Sequence, residues 1–176
     1  MSITTKTGDK GITSLCCGKR IRKDHILVDI CGTFDELCSF LGLAKSLIKN
    51  RTTKKLLESI QKDLFVIGAE IATSAKFLNR LKKRIDNNYV KRLEDNINNL
   101  ESKIKLKGRC FLLPGENFIS SAFDVGRTIA RRAERQIVAL KHKNILKNQY
   151  IIIYLNRLSD LLYLLARAYE KKHRKL

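Results

Sequence analysis

Apolar residues return at three- and four-residue spacing through most of this chain, and Pro114 is the single proline available to interrupt them. Residues at that spacing share one helix face, so the pattern predicts helices that each have one side to bury. The strictest stripe is Val90, Leu93, Ile97, Leu100 and Ile104, which predicts a helix over about 87–105. A segment over about 27–49 turns Leu37, Leu41, Ala44 and Ile48 inward. The next starts at a Thr52 or Thr53 cap and runs to about 77, with Leu56, Leu57, Ile60, Leu64, Ile67 and Ile71 on its apolar side. Two more cover about 118–142 and 147–172. Residues 107–117, holding Pro114 and Gly115, break the period and form a connector. The expected fold is all-α: a helical bundle of four or five helices over 25–176, behind a flexible polar arm over 1–24. At 176 residues this is one domain with a substantial core.

Charge narrows the function less than its size implies. The formal net charge is +19, from 36 Lys and Arg against 17 Asp and Glu. Such a balance is compatible with nucleic acid or another anionic surface. Yet the basic runs "KRIRK", "RLKKR" and "KKHRK" are scattered, only five Tyr and seven Phe are present for base stacking, and no recognition motif occurs. A basic helical nucleic-acid-binding protein is therefore the alternative rather than the main reading. Five cysteines without a CxxC pair, beside three histidines, give no zinc spacing and no disulfide framework, so reduced thiols are expected. The start of the chain is too polar for a signal peptide, and the apolar stretch 150–169 carries Asn156, Arg157, Asp160 and Arg167, unlike a membrane span. A cytoplasmic protein is expected.

Three stretches carry chemistry. In "GRTIARRAER", Arg127, Arg131, Glu134 and Arg135 fall on one helical stripe while Arg132 points elsewhere. Converging guanidinium groups repel unless an anion, a carboxylate of another chain or solvent lies between them. The last helix is apolar around most of its circumference but carries Asn156, Asp160, Tyr163 and Arg167 at helical spacing. That polar stripe either ties helix to helix or forms a wall facing the arginines. The arm "TKTGDKGITS" offers Gly8 and Gly11 for close backbone approach to an anion and Thr5, Thr7, Thr13 and Ser14 as hydroxyl donors. It is bracketed by Lys6 and Lys10, and it is not a P-loop.

The blocks "TKTGDKGITSL", "GTFDELCSFLG", "FLLPGE", "RTIARRAER" and "YLNRLSDLLYLLAR" occur in that order over nearly the whole chain. Together they closely resemble the PduO-type ATP:cob(I)alamin adenosyltransferases. The resemblance implies a five-helix, ferritin-like bundle assembling as a homotrimer with active sites between subunits. It implies transfer of the 5′-deoxyadenosyl group of ATP to the cobalt of cob(I)alamin, with Mg²⁺ accompanying the nucleotide and triphosphate released. By matching position, Thr5, Lys6, Thr7, Gly8, Thr13, Ser14 and Lys23 form the ATP-clasping arm. Arg131, Arg132, Glu134, Arg135 and Asn156 complete the nucleotide site, with Arg131, Lys23 and Asn156 closest to the chemistry. Phe111 matches the aromatic residue under the corrinoid, and Asp35 and Arg127 belong to the same region as an interface salt bridge. A corrinoid-reducing flavoprotein is the implied partner. A trimer that binds ATP but has lost transfer is the second alternative.

The chain departs from the family's usual pattern at Glu116, where a second glycine is common and the acid would stand beside the corrinoid. It departs again at Phe123, Asp124 and Gly126 inside the fourth helix, and at Cys38 after "DEL".

Overall fold

The structure is a computed structural model that describes residues 3–16, 20–104 and 112–171. Among these residues there are five α-helices: α1 (Ile26–Leu47), α2 (Arg51–Ile71), α3 (Asn87–Glu101), α4 (Phe118–His142) and α5 (Tyr150–Ala168). Each predicted helix is present. Their ends differ where caps outweigh periodicity. Asn50, not Thr52 or Thr53, caps α2: its Oδ1 accepts from the Thr53 N–H at 3.0 Å. A side-chain oxygen one residue before the helix satisfies an amide that would otherwise have no partner. The helix ends at Ile71, short of the expected 77, and a 3-10 segment, Ala75–Arg80, follows. Asp86 caps α3, and Asn117 caps α4 in a reciprocal box with Ser120.

The arm is not wholly irregular. Strands β1 (Ile12–Ser14) and β2 (Arg20–Arg22) pair antiparallel, with Thr13 opposite Ile21. Three-residue strands give too few positions for a period-two pattern to be read from sequence, so the expected flexible polar arm of an all-α fold is corrected to one carrying a two-stranded hairpin.

Helix α5 lies at the centre, packed on α4 and α3, while α1 packs on α4 and α2. Its Ile151, Tyr154, Leu155, Leu158, Leu161 and Leu162 are fully buried within the chain, so its nearly continuous apolar surface is covered by the bundle itself. The bundle is closed by Asp63 of α2, which pairs with Arg92 of α3 and accepts from the Tyr154 hydroxyl of α5 at 2.7 Å. Burial raises the Asp63 carboxyl above the ordinary range, against the Tyr154 hydrogen bond and the Arg92 charge. Burial, and then Asp63 itself, push the Tyr154 phenol well above its usual value. No helix among the described residues is long and apolar enough to cross a membrane.

Gly126 sits in the middle of α4, where a Cβ would meet Leu41 Cδ2 at 3.6 Å and Leu162 Cδ1 at 3.7 Å. Both are ordinary contact distances. Gly126→Ala should therefore add packing and remove backbone entropy from the unfolded chain, raising stability by roughly 0.5–1 kcal/mol in urea denaturation. A loss of stability would show that α1 and α5 leave no room for the methyl group.

Candidate active site

Helix α4 carries its arginines in two states. Arg127 Nε donates to Asp124 Oδ1 at 3.1 Å within the same helix, and Arg132 pairs with Glu36 of α1. Arg132 thus bridges helices in the single chain. Arg131 and Arg135 are exposed, and among the described residues neither has a hydrogen-bond or ion-pair partner. Beside them Glu134 accepts from Asn156 Nδ2 of α5 at 3.3 Å, and Asn156 Oδ1 accepts from Arg157 at 2.8 Å. Arg157 in turn reaches Glu94 of α3 at 2.9 Å. A relay of fixed side chains therefore holds one carboxylate between two free guanidinium groups.

The polar stripe of α5 divides between both roles that its sequence allowed. Asn156 belongs to the wall facing α4, through Glu134, whereas the exposed Asp160 lines an open cleft with Glu94, Asn98 and Glu101 of α3. Burial raises the Asp160 carboxyl, while Arg157 and then Arg131 pull it down, so Arg131 lies within electrostatic reach of it. Arg167 instead ties helix to helix: its side chain is 1% exposed, pairs with Asp124 of α4, and lies 2.8 Å from Glu170. Its guanidinium also stacks 5.0 Å from the Tyr163 ring centroid. Asp124, a departure from the family pattern, is thus matched by Arg127 and Arg167.

The arm folds back on itself. Thr5 and Thr7 share a 2.9 Å hydroxyl contact, Arg20 Nη2 donates to the Thr7 carbonyl at 3.1 Å, and the Lys23 N–H donates to the Gly11 carbonyl at 2.8 Å. Gly11 has φ +71°, a conformation that favours glycine. At Gly8 a Cβ would lie only 3.1 Å from Lys23 Nζ, so the missing side chain lets the ammonium lie against the loop backbone. Arg20 was visible in sequence only as part of a basic run, because its bond to Thr7 depends on the hairpin register. Among the described residues, no hydrogen bond or ion pair joins the named arm residues to Arg131, Glu134, Arg135 or Asn156.

Asp35 is exposed on α1, at an open cleft of about 330 Å³ between α1 and α2 that Phe34, Leu64 and Phe65 help to line. Phe65 is 70% exposed. Phe111 lies outside the described residues. Glu116 is placed at the end of α5, accepting from the Lys171 N–H at 3.0 Å and from Asn117 Nδ2, also at 3.0 Å. Its charge therefore ties the start of α4 to the chain that leaves α5.

A central α5 against α4, with a Gly- and Thr-containing arm on a separate hairpin, defines a helical-bundle protein with a small two-stranded sheet. The profile of the cobalamin adenosyltransferase family matches residues 3–169, and the chain belongs to that family. It is 41% identical over 169 residues to a corrinoid adenosyltransferase of Citrobacter freundii, covering 96% of this chain and 94% of the relative. A second relative from the same organism, the corrinoid adenosyltransferase PduO, is 39% identical over 168 residues, but this chain spans only 50% of its length. Among solved structures, a variant of the PduO-type ATP:corrinoid adenosyltransferase from Lactobacillus reuteri, complexed with cobalamin and ATP, superposes with a TM-score of 0.89. It is 36% identical, with 99% of each chain covered.

Proposed function

We propose that this protein transfers the 5′-deoxyadenosyl group of ATP to the cobalt of a Co(I) corrinoid and releases triphosphate. The observation that carries the reading is the pair of guanidinium groups, Arg131 and Arg135, without partners among the described residues and flanking a Glu134 that Asn156 holds in place. Two free cations on one rigid helix face form a receptor for a polyphosphate. Co(I) is itself the nucleophile, so the protein needs no general base. Its task is to hold C5′ in line between cobalt and the leaving triphosphate. Arg131, Lys23 and the arm's backbone donors stabilise the negative charge that gathers on that leaving group. Mg²⁺ arrives on the nucleotide's own phosphates.

The site is completed by a second copy in a trimer. Support comes from the separation of arm and arginine face within one chain. It comes also from Asp35, which is exposed and has no hydrogen-bond or ion-pair partner among the described residues. Arg127 uses Nε on Asp124, and its remaining donors are available to the Asp35 of a neighbour. The corrinoid then lies against the apolar cleft beside Asp35, with Phe111 closing its lower face. A flavoprotein reductase would supply the Co(I) state.

The test is anaerobic: purified protein, MgATP and chemically reduced cob(I)alamin, followed by loss of the Co(I) absorbance and gain of light-sensitive adenosylcobalamin. Turnover is expected. MgATP binding without consumption of Co(I) would overturn the transfer reading and leave an ATP-binding trimer.

A further inference from the structure

Three thiols line the α1–α2 cleft: Cys16, just beyond β1, and Cys31 and Cys38 on α1. Cys16 is exposed, and the other two are half-buried. Cys16 is also part of the lining of a second cavity, with Leu15, Leu27 and Ala72, so the returning end of β1 rests over α1 and the end of α2. Cys31 is one helical turn before Asp35, on the same side of α1. Cys38 is engaged elsewhere: Gln61 Nε2 donates to its carbonyl at 2.9 Å and approaches its Sγ at 3.8 Å.

From this placement we infer that Cys16 and Cys31 are a thiol–disulfide pair whose oxidation pins the nucleotide arm to α1. The role of the arm in binding ATP rests on the function proposed above; the pairing of the thiols does not. Burial raises the Cys31 thiol, and the neighbouring Cys16 raises it further. The exposed Cys16 is therefore the attacking group, and Cys31 resolves.

The oxidant is a low-molecular-weight disulfide such as oxidised glutathione. The Cys16 thiolate attacks one of its sulfurs, forming a mixed disulfide and expelling one glutathione thiolate. The Cys31 thiolate then attacks the Cys16 sulfur and expels the second. The protein loses two thiol protons and is oxidised by two electrons, and glutathione disulfide is reduced to two thiols. A disulfide holds its Cα atoms about 5.5–6 Å apart, so bond formation fixes the end of the strand carrying Thr13 and Ser14 against α1. An arm held there is no longer free to shift toward a nucleotide on the arginine face of a neighbouring copy.

The experiment titrates the full protein with oxidised glutathione, blocks the remaining thiols, maps the peptides and measures MgATP binding by calorimetry before and after. The expected map shows one Cys16–Cys31 cross-link. If the pinned arm is competent about one-tenth of the time, the MgATP Kd rises about tenfold and returns with dithiothreitol. Cys31→Ser should stop at the mixed disulfide on Cys16 with the Kd unchanged. A cross-link through Cys17 or Cys38, a mixed disulfide that persists in the parent, or a cross-link that leaves the Kd unmoved overturns the inference. Reduced protein that fails to bind MgATP at all would instead defeat the nucleotide reading, whatever the peptide map shows.

Discussion

Replacing Arg131 by Ala is expected to lower adenosyl transfer by about 10²–10³-fold, the usual effect of deleting one preorganised donor to a developing negative charge. That corresponds to roughly 3–4 kcal/mol of transition-state stabilisation. The fold should not notice. Arg131 is exposed and has no hydrogen bond or ion pair among the described residues, so its removal leaves none of them buried and unmatched. Thermal unfolding of the variant should match the parent, since exposed substitutions of this kind stay within about 0.5 kcal/mol. Arg131→Lys keeps the charge but loses the planar fork, and should fall between the two. A variant that loses stability as much as turnover would place Arg131 in the structure rather than at the leaving group. Comparing initial rates at saturating and limiting MgATP would separate lost binding from lost transfer.

Arg167 should behave in the opposite way. Its side chain is 1% exposed and pairs with Asp124, and it lies 2.8 Å from Glu170, itself 1% exposed. Arg167→Ala takes the cation away from two buried acids and leaves a void at the α4–α5 contact. Breaking a buried pair from one side costs about 3–5 kcal/mol. For a chain of this size that lowers Tm by roughly 6–20 °C. Differential scanning calorimetry measures it directly. Adding Asp124→Asn to Arg167→Ala should recover part of the loss, because one of the two acids that lose the Arg167 cation is then uncharged. Equal stability of Arg167→Ala and the parent would show that the network contributes nothing net. The paired result defines a division along α4 and α5: arginines spent inside the fold and arginines kept free for ligand.

The sequence by itself determined the helices, because apolar periodicity is a local property and each stripe is long enough to be read. It put Arg127, Arg131, Glu134 and Arg135 on one face, as any α-helix must, while the nucleotide as their ligand is what the family resemblance implies. It also required α5 to be covered, either at the centre of the bundle or at a subunit interface, and the tertiary structure puts it at the centre. What it could not decide was which charges cancel. Arg127, Arg131, Arg132 and Arg135 look alike in a row. Only the approach of α1 gives Arg132 its Glu36, and only the fold of α4 against α5 turns Arg167 toward Asp124. The same holds for Glu116, which the linear motif sets beside a corrinoid and the tertiary structure ties to Lys171, 55 residues later. The hairpin in the arm, the Arg20 bond to Thr7 and the meeting of Cys16 with the α1–α2 cleft belong to this class too. Each depends on pairing between distant segments, and electrostatic partners are chosen by distance in space.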